Sequence, residues 1–231
     1  MAHIEQQNFI LDCFEIIKDK FKSPQILEIG SYKPNKEYDL RNLFPNSDFT
    51  GIDLVDGPGV DIVMDGENID QLNKKFDIIV SGECFEHAPN WKKIFLKMIN
   101  YIKENGYIII TCASKGRLEH GTRRLKSYSN SLGKHDYYLN LEKKNFFKNF
   151  QITKIFKNYF FYYNINSYDL YVILSKNGDD QVFHTIKKKC KFRYKRFPKF
   201  KNLKRFLICS LIPDRTFQNT RFFLRKFQKK S

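Results

Sequence analysis

Short apolar runs, each ended by glycine or a polar residue, dominate the first half of the chain. They cover residues 25–29, 48–52, 60–63, 76–80 and 107–112. Near-continuous apolar runs of this length are typical of parallel strands that are buried on both faces of a sheet.

Segments with helical spacing accompany these runs. An amphipathic helix is predicted from Ile4 to Phe21, and further helices over 36–44, 67–74 and 90–104. Alternating strands and helices predict a parallel sheet with right-handed crossovers.

The pattern changes after Cys112. Residues 114–140 are polar and rich in turn formers, which favours a functional loop over an ordinary connection. Two more strands are predicted over 149–156 and 168–174, antiparallel at one edge. The expected fold is therefore a doubly wound, mostly parallel α/β sheet of seven strands, Rossmann-like, formed by residues 1–176.

The charge is concentrated at the other end of the chain. Residues 181–231 carry 17 of the 41 basic residues and one of the 25 acidic residues, so the remainder of the chain is neutral. Basic and aromatic residues alternate from 187 to 200, and apolar stripes then predict two amphipathic helices. Residues 177–231 are thus interpreted as a basic helical extension.

Three interpretations of this extension remain open. Residues 187–230 could lie on an anionic membrane surface, which we favour. They could instead bind RNA through phosphate contacts and base stacking. They could also pack on the domain or on a partner, or be disordered.

Cysteine usage and the apolar runs limit the location of the protein. The five cysteines are scattered without a CxxC pair, as expected for reduced thiols in a cytoplasmic protein. No secretory signal or membrane span is expected, and no metal-ligand cluster is evident, so no metal site is predicted.

Polar residues and glycine follow the predicted strands, where open α/β sheets bind ligands. Glu28 and Gly30 end the first strand, Asp53 ends the second, and Asp65 with Gly66 follows the third. Asp53 suits the two hydroxyls of a ribose, and Asp65 suits an adenine amino group. Because a GxGxxG phosphate loop is missing, S-adenosylmethionine (SAM), a nucleoside without phosphates, fits better than a dinucleotide.

Residues 25–113 resemble class I SAM-dependent methyltransferases. LEIGS matches the first motif of that family, GIDL its ribose-binding acid and DIVMDG its adenine-side acid, and FDIIVSGECFEH and NYIKENGYIIIT match later motifs. The second glycine of the first motif is missing here. The resemblance implies that SAM is the cofactor and that its binding residues are Glu28, Gly30, Ser31, Asp53, Leu54, Asp65, Gly66, Ser81 and Glu83.

The resemblance extends into the loop that should face the methyl group. TCASKGRLEHGTRR and HDYYLNL are similar to a subgroup that modifies sugars and surface glycans. His120 and His87 are the candidate general bases for a sugar hydroxyl. Arg123, Arg124 and Tyr137 are the candidate acceptor-binding residues.

Two other functions remain open. The chain could be an RNA methyltransferase anchored by its basic extension, although no base-amine motif is present and the main domain is neutral. It could also be a SAM-fold module without catalytic activity, which the missing glycine would favour. The acceptor, the methylated atom and the oligomeric state are not determined by the sequence.

Overall fold

The computed structural model describes residues 4–33, 40–123, 136–193 and 200–228. A single seven-stranded sheet forms its centre, in the order β3-β2-β1-β4-β5-β7-β6. The strands are β1 (Gln25–Ile29), β2 (Asp48–Asp53), β3 (Ile62–Val63), β4 (Phe76–Gly82), β5 (Ile102–Ala113), β6 (Asn158–Asn164) and β7 (Asp169–Ser175).

The direction of the strands confirms the predicted fold class. Strands β1 to β5 are parallel to one another, and β7 pairs antiparallel with both β5 and β6. The strand order reverses between β1 and β4, so a crevice for a ligand is expected beyond their carboxyl ends.

Helices cover both faces of the sheet. They are α1 (Ile4–Ile17), α2 (Trp91–Tyr101), α3 (Lys143–Asn149), α4 (Ile152–Ile155), α5 (Asp180–Arg193), α6 (Phe200–Leu211) and α7 (Asp214–Gln228). Residues of α2, α3 and α4 pack in one apolar cluster, and residues of α1 and α5 pack in a second. The apolar runs of the strands supply the other half of each cluster, as two-sided burial requires.

The predicted strand over 149–156 is wrong. This segment spans the end of α3 and the short helix α4, and the strand begins only at Asn158. Glu142 and Asn145 form a capping box at the start of α3, so local capping favours a helix there. Ile152 and Phe156 are buried in the same apolar cluster as residues of the strands, which explains why the segment resembles a strand in composition.

Several predicted bounds also differ from the structure. Helix α2 ends at Tyr101 instead of 104, because Ile102 already pairs with Phe76 of β4. The third strand is only two residues long, and the predicted helices near 40 and 70 are 3-10 turns, Leu40–Leu43 and Gly66–Leu72. Residues 36–39 lie outside the described part of the chain.

The basic extension begins with a helix that is part of the core. Val182, Phe183 and Ile186 of α5 are buried in the same cluster as α1. Asp12 of α1 forms ion pairs with Lys189 at 2.9 Å and with Arg193 at 3.0 Å. A domain boundary at 176 remains a prediction, since α5 packs on the domain.

Candidate functional site

The first strand end is shaped by Gly30. Its φ of +78° lies in the left-handed region, and an added Cβ would stand 2.7 Å from the Cβ of Cys84. Since neither the conformation nor the space suits a side chain, glycine allows the end of β1 to approach the segment after β4.

Asp53 is held in place at the end of β2. Its two carboxylate oxygens accept hydrogen bonds from the backbone N–H groups of Tyr32, at 3.0 Å, and Leu54, at 2.7 Å. A carboxylate offers about four acceptor sites, so this side chain can accept from more than one donor at a time. The backbone N–H of Leu54 therefore helps to orient Asp53, the residue that is predicted to bind the ribose.

Asp65 and Gly66 have clear structural roles. Asp65 caps the following 3-10 helix by accepting from the Glu67 N–H at 3.0 Å, and it also accepts from the Asn90 amide. Gly66 is buried, and a Cβ on it would stand 2.9 Å from a methyl of Ile29. The structure thus explains both residues without a ligand, and an adenine contact by Asp65 remains a prediction.

The remaining predicted cofactor residues lie around β1. Glu28 is buried and forms an ion pair with Lys33 at 2.9 Å. The Ser81 hydroxyl donates to the Ile29 carbonyl at 2.9 Å. The hydroxyl of Ser31 is buried and has no hydrogen-bond partner among the described residues. Because an unsatisfied buried hydroxyl is unfavourable, Ser31 is consistent with a ligand contact.

The two predicted catalytic histidines lie next to each other. The ring centroids of His87 and His120 are 5.0 Å apart, and Tyr138 is 5.0 Å from His120 and 5.5 Å from His87. His87 follows β4, whereas His120 comes from the loop after β5, so the fold joins residues that are distant in sequence. Burial lowers the pKa of His87 to about 3, which keeps its ring neutral.

A cluster of three acids reaches this pair of histidines through Glu86. Glu86 and Asp169 are buried and Glu83 is partly buried. Arg117 interacts with all three electrostatically. Burial raises the pKa of each carboxyl, that of Asp169 to about 7, and the neighbouring Glu86 raises the pKa of Glu83 further. Glu83 also accepts from the Gln6 amide.

Backbone strain marks the same place. Glu83 has a φ of +56°, a region that residues other than glycine rarely adopt. Such strained residues cluster at active sites, because the surrounding structure must hold them. In the structure the Glu83 carboxyl interacts with Glu86 and Asp169, and the predicted contact of Glu83 with the cofactor stays a prediction.

Glu86, Arg117 and Asp169 were not predicted as site residues. Glu86 lies in the GECFEH motif, in which only Glu83 and His87 are predicted as site residues. Asp169 begins β7 opposite Ala113, and only the antiparallel register brings it to this end of β5. Spacing along the chain carries no signal for such a long-range contact.

The predicted acceptor-binding residues have different positions. Arg123 is exposed, and its backbone N–H donates to Asp136 at 2.8 Å. Tyr137 is partly buried, and burial raises the pKa of its phenol. Arg124 lies outside the described residues.

Helix α7 supports the loop that carries His120. The Gln218 amide donates to the Arg117 carbonyl at 2.7 Å and accepts from the Glu119 N–H at 2.8 Å. Asp214, at the start of α7, accepts from the Asn140 amide at 2.7 Å. The end of the basic extension therefore packs against the loop that carries His120, which its charge pattern did not suggest.

Comparison with solved structures defines the class of the fold. The chain superimposes on the plantazolicin methyltransferase BpumL, solved with a triazolic desmethylPZN analog and SAH, with a TM-score of 0.51 and 18% identity over 74% of this chain and 85% of that one. The plantazolicin methyltransferase BamL, solved with a similar analog and SAH, gives 0.52 and 20% over 88% and 77%. A search of curated protein sequences finds no significant match. The fold is that of class I methyltransferases.

The family follows from the sequence itself. Residues 5–163 match the methyltransferase domain family, which is more than half of the chain. The protein belongs to this family and is a SAM-dependent methyltransferase, which confirms the predicted enzyme class and cofactor.

Proposed function

We propose that the protein transfers the methyl group of SAM to a hydroxyl of a small-molecule or glycan acceptor, such as a sugar or a lipid-linked saccharide. The observation that carries this proposal is the group formed by His87, His120 and Tyr138 at the carboxyl ends of β4 and β5. Imidazoles are suitable partners for a hydroxyl that must lose a proton.

The residues around β1 and β2 fit the cofactor. Asp53 is oriented by two backbone N–H groups and has the acceptor capacity for ribose hydroxyls. The buried hydroxyl of Ser31 has no partner within the described part of the chain. Leu54 and Gly30 complete the backbone that would line the nucleoside. Glu28 already forms an ion pair with Lys33. The amino group of the cofactor would therefore share the Glu28 carboxylate with the Lys33 ammonium.

The protein mainly has to position the acceptor. SAM, when bound, supplies a methyl group on a positively charged sulfur. The acceptor oxygen forms the new bond to the methyl carbon while the carbon–sulfur bond breaks and its electron pair stays on sulfur. The hydroxyl proton passes to His120, and Tyr138 packs beside that ring. Correct placement for this in-line displacement supplies much of the rate.

An acceptor screen tests this function. Purified protein is incubated with SAM carrying a labelled methyl group and with nucleotide sugars, glycolipids, small natural-product peptides and RNA. We expect label in a hydroxyl-bearing sugar or glycolipid, and a loss of about 100-fold in turnover for His120→Ala, within the range of general-base catalysis. SAM binding should be unchanged in that variant. Transfer to RNA alone, or full activity in His120→Ala, would contradict the proposal.

The exposed side of α6 supports a location at a membrane surface. Phe200, Leu207, Ile208 and Leu211 are exposed apolar residues on a helix that also carries Lys201 and Lys204. An amphipathic helix of this kind can lie in the interface of an anionic bilayer. None of the helices in the described residues has the length and apolar character needed to cross a membrane.

Liposome sedimentation tests this location. We expect the protein to sediment with vesicles that contain anionic lipid and much less with neutral ones, since each nearby basic residue adds about 1 kcal/mol of attraction. Leu207→Ser together with Leu211→Ser should release it. Ser210→Ala, on the same helix, is the matched control. Equal sedimentation of both variants would show that α6 does not anchor the protein.

A further inference from the structure

Three side chains on the acceptor side have their ligand atoms close together. Glu86, His87 and His120 each offer one oxygen or nitrogen, and these three atoms lie within 4.8 Å of one another. Bonds of about 2.0–2.2 Å to a shared cation would bring them to roughly 3–4 Å apart. The cluster is thus within about an ångström of a coordination geometry.

Two of the three side chains are oriented by a backbone group. The Ala113 N–H donates to Oε1 of Glu86 at 3.1 Å, and Nδ1 of His120 lies 3.1 Å from the Leu118 carbonyl, to which it can only donate. The ring of His87 packs against the rings of His120 and Tyr138. Backbone bonds of this kind fix the orientation and tautomer of metal ligands in proteins.

The other polar atoms of the two buried side chains have no protein partner. Oε2 of Glu86 and Nδ1 of His87 are inaccessible to solvent and make no hydrogen bond within the described residues. Glu86 is fully buried and His87 is 8% exposed. Because buried polar atoms are almost always satisfied, two unsatisfied atoms in one cluster indicate a ligand between them.

We infer that Glu86, His87 and His120 bind a divalent transition-metal cation, such as Mn²⁺ or Zn²⁺. Two imidazoles and one carboxylate favour a transition metal over Mg²⁺ or Ca²⁺, which prefer oxygen ligands. Three protein ligands leave coordination positions open, as in catalytic metal sites. The side chain of Glu83 lies beside Glu86, so its carboxyl borders the site.

This inference deepens the proposed function, on which the catalytic role of the cation rests. A cation at this place would bind and polarise an oxygen of the acceptor. It would favour acceptors that present two neighbouring oxygens, such as the vicinal hydroxyls of a sugar. The two histidines would then be metal ligands, and the hydroxyl proton would pass to water instead of His120.

Calorimetric titration of metal-free full-length protein with Mn²⁺ tests the site directly, with Co²⁺ as a spectroscopic probe. We expect one cation per chain, and a Co²⁺ spectrum without thiolate charge-transfer bands. Glu86→Gln and His120→Ala should each weaken Mn²⁺ binding at least tenfold. His184→Ala is the matched control, because His184 is an exposed histidine on α5. Its affinity should equal that of the wild type.

SAM binding, measured on the same samples, separates the possible outcomes. Variants that keep wild-type SAM affinity are folded, so a loss of Mn²⁺ binding in them is a loss of ligands. If the wild type binds neither Mn²⁺ nor Zn²⁺, or if both variants bind like the control, the cation site is wrong. Methyl transfer that continues in excess chelator would leave the proposed function intact and assign the histidines to proton transfer. If the wild type does not bind SAM, the proposed function is wrong, whatever the metal titration gives.

Discussion

Asp53→Ala should weaken SAM binding by about 100-fold in a calorimetric titration. The carboxylate at the end of β2 would hold two ribose hydroxyls, and a hydrogen bond to a charged group contributes about 1.5–3 kcal/mol. Since about 1.4 kcal/mol corresponds to a tenfold change in affinity, losing both bonds costs at least this much. S-adenosylhomocysteine should lose the same factor, because the ribose is common to both ligands.

Two further variants show whether the loss is specific. Asp53→Asn keeps one carbonyl oxygen and similar shape, so it should lose less than Asp53→Ala. Asp56→Ala removes an exposed acid three residues further along the same loop and should bind SAM like the wild type. Asp53 also accepts hydrogen bonds from the N–H groups of Tyr32 and Leu54. Thermal unfolding of Asp53→Ala is therefore compared with that of the wild type, to show that the substitution alters only this loop. Unchanged SAM affinity in Asp53→Ala would remove this residue from the cofactor site.

The parallel half of the fold could be predicted because its signals are local. The apolar runs that form β1, β4 and β5 are buried on both faces and need no partner to be recognised, as the run from Phe76 to Val80 shows. The edge strand β3 differs from these runs, since Ile62 and Val63 are exposed. The region after Ala113 was harder to predict. Phe146 and Phe156 are buried whether they belong to a helix or a strand, so composition could not distinguish the two. The capping box at Glu142 is a local signal for α3 only, since α4 begins at Ile152 without a side-chain capping hydrogen bond.

The same distinction applies to the site. Gly30 and Asp53 lie at the ends of strands that the sequence predicts. Their proximity at the carboxyl edge of the sheet could therefore be predicted. The acceptor side is assembled from four segments that are distant in sequence, around Glu83, Arg117, Asp169 and Gln218. Only the antiparallel pairing of β5 with β7 and the docking of α7 bring these residues together. The raised pKa values of Glu83 and Asp169 depend on burial, which no spacing along the chain reveals.

Phe95→Ala should lower the free energy of unfolding by about 3–5 kcal/mol, the range for removing a buried phenylalanine. Phe95 is fully buried on α2. Its ring packs edge-on against Phe146, at 5.1 Å, and Phe150, at 4.7 Å, so a cavity would form between α2 and α3. Phe85, which contacts both Phe95 and Phe146, directly precedes Glu86.

The effect of this cavity should therefore reach the acceptor side as well as stability. Denaturant unfolding monitored by circular dichroism gives the loss, and Leu96→Ala is the matched control on the next position of the same helix. Leu96 is 50% exposed, so its truncation should change stability by no more than about 0.5 kcal/mol. A similar small change in Phe95→Ala would mean that α2 and α3 do not share a packed core. Because Phe85 begins the turn that carries Glu86 and His87, Phe95→Ala should also weaken Mn²⁺ binding more than SAM binding, since Asp53 lies on the far side of β1.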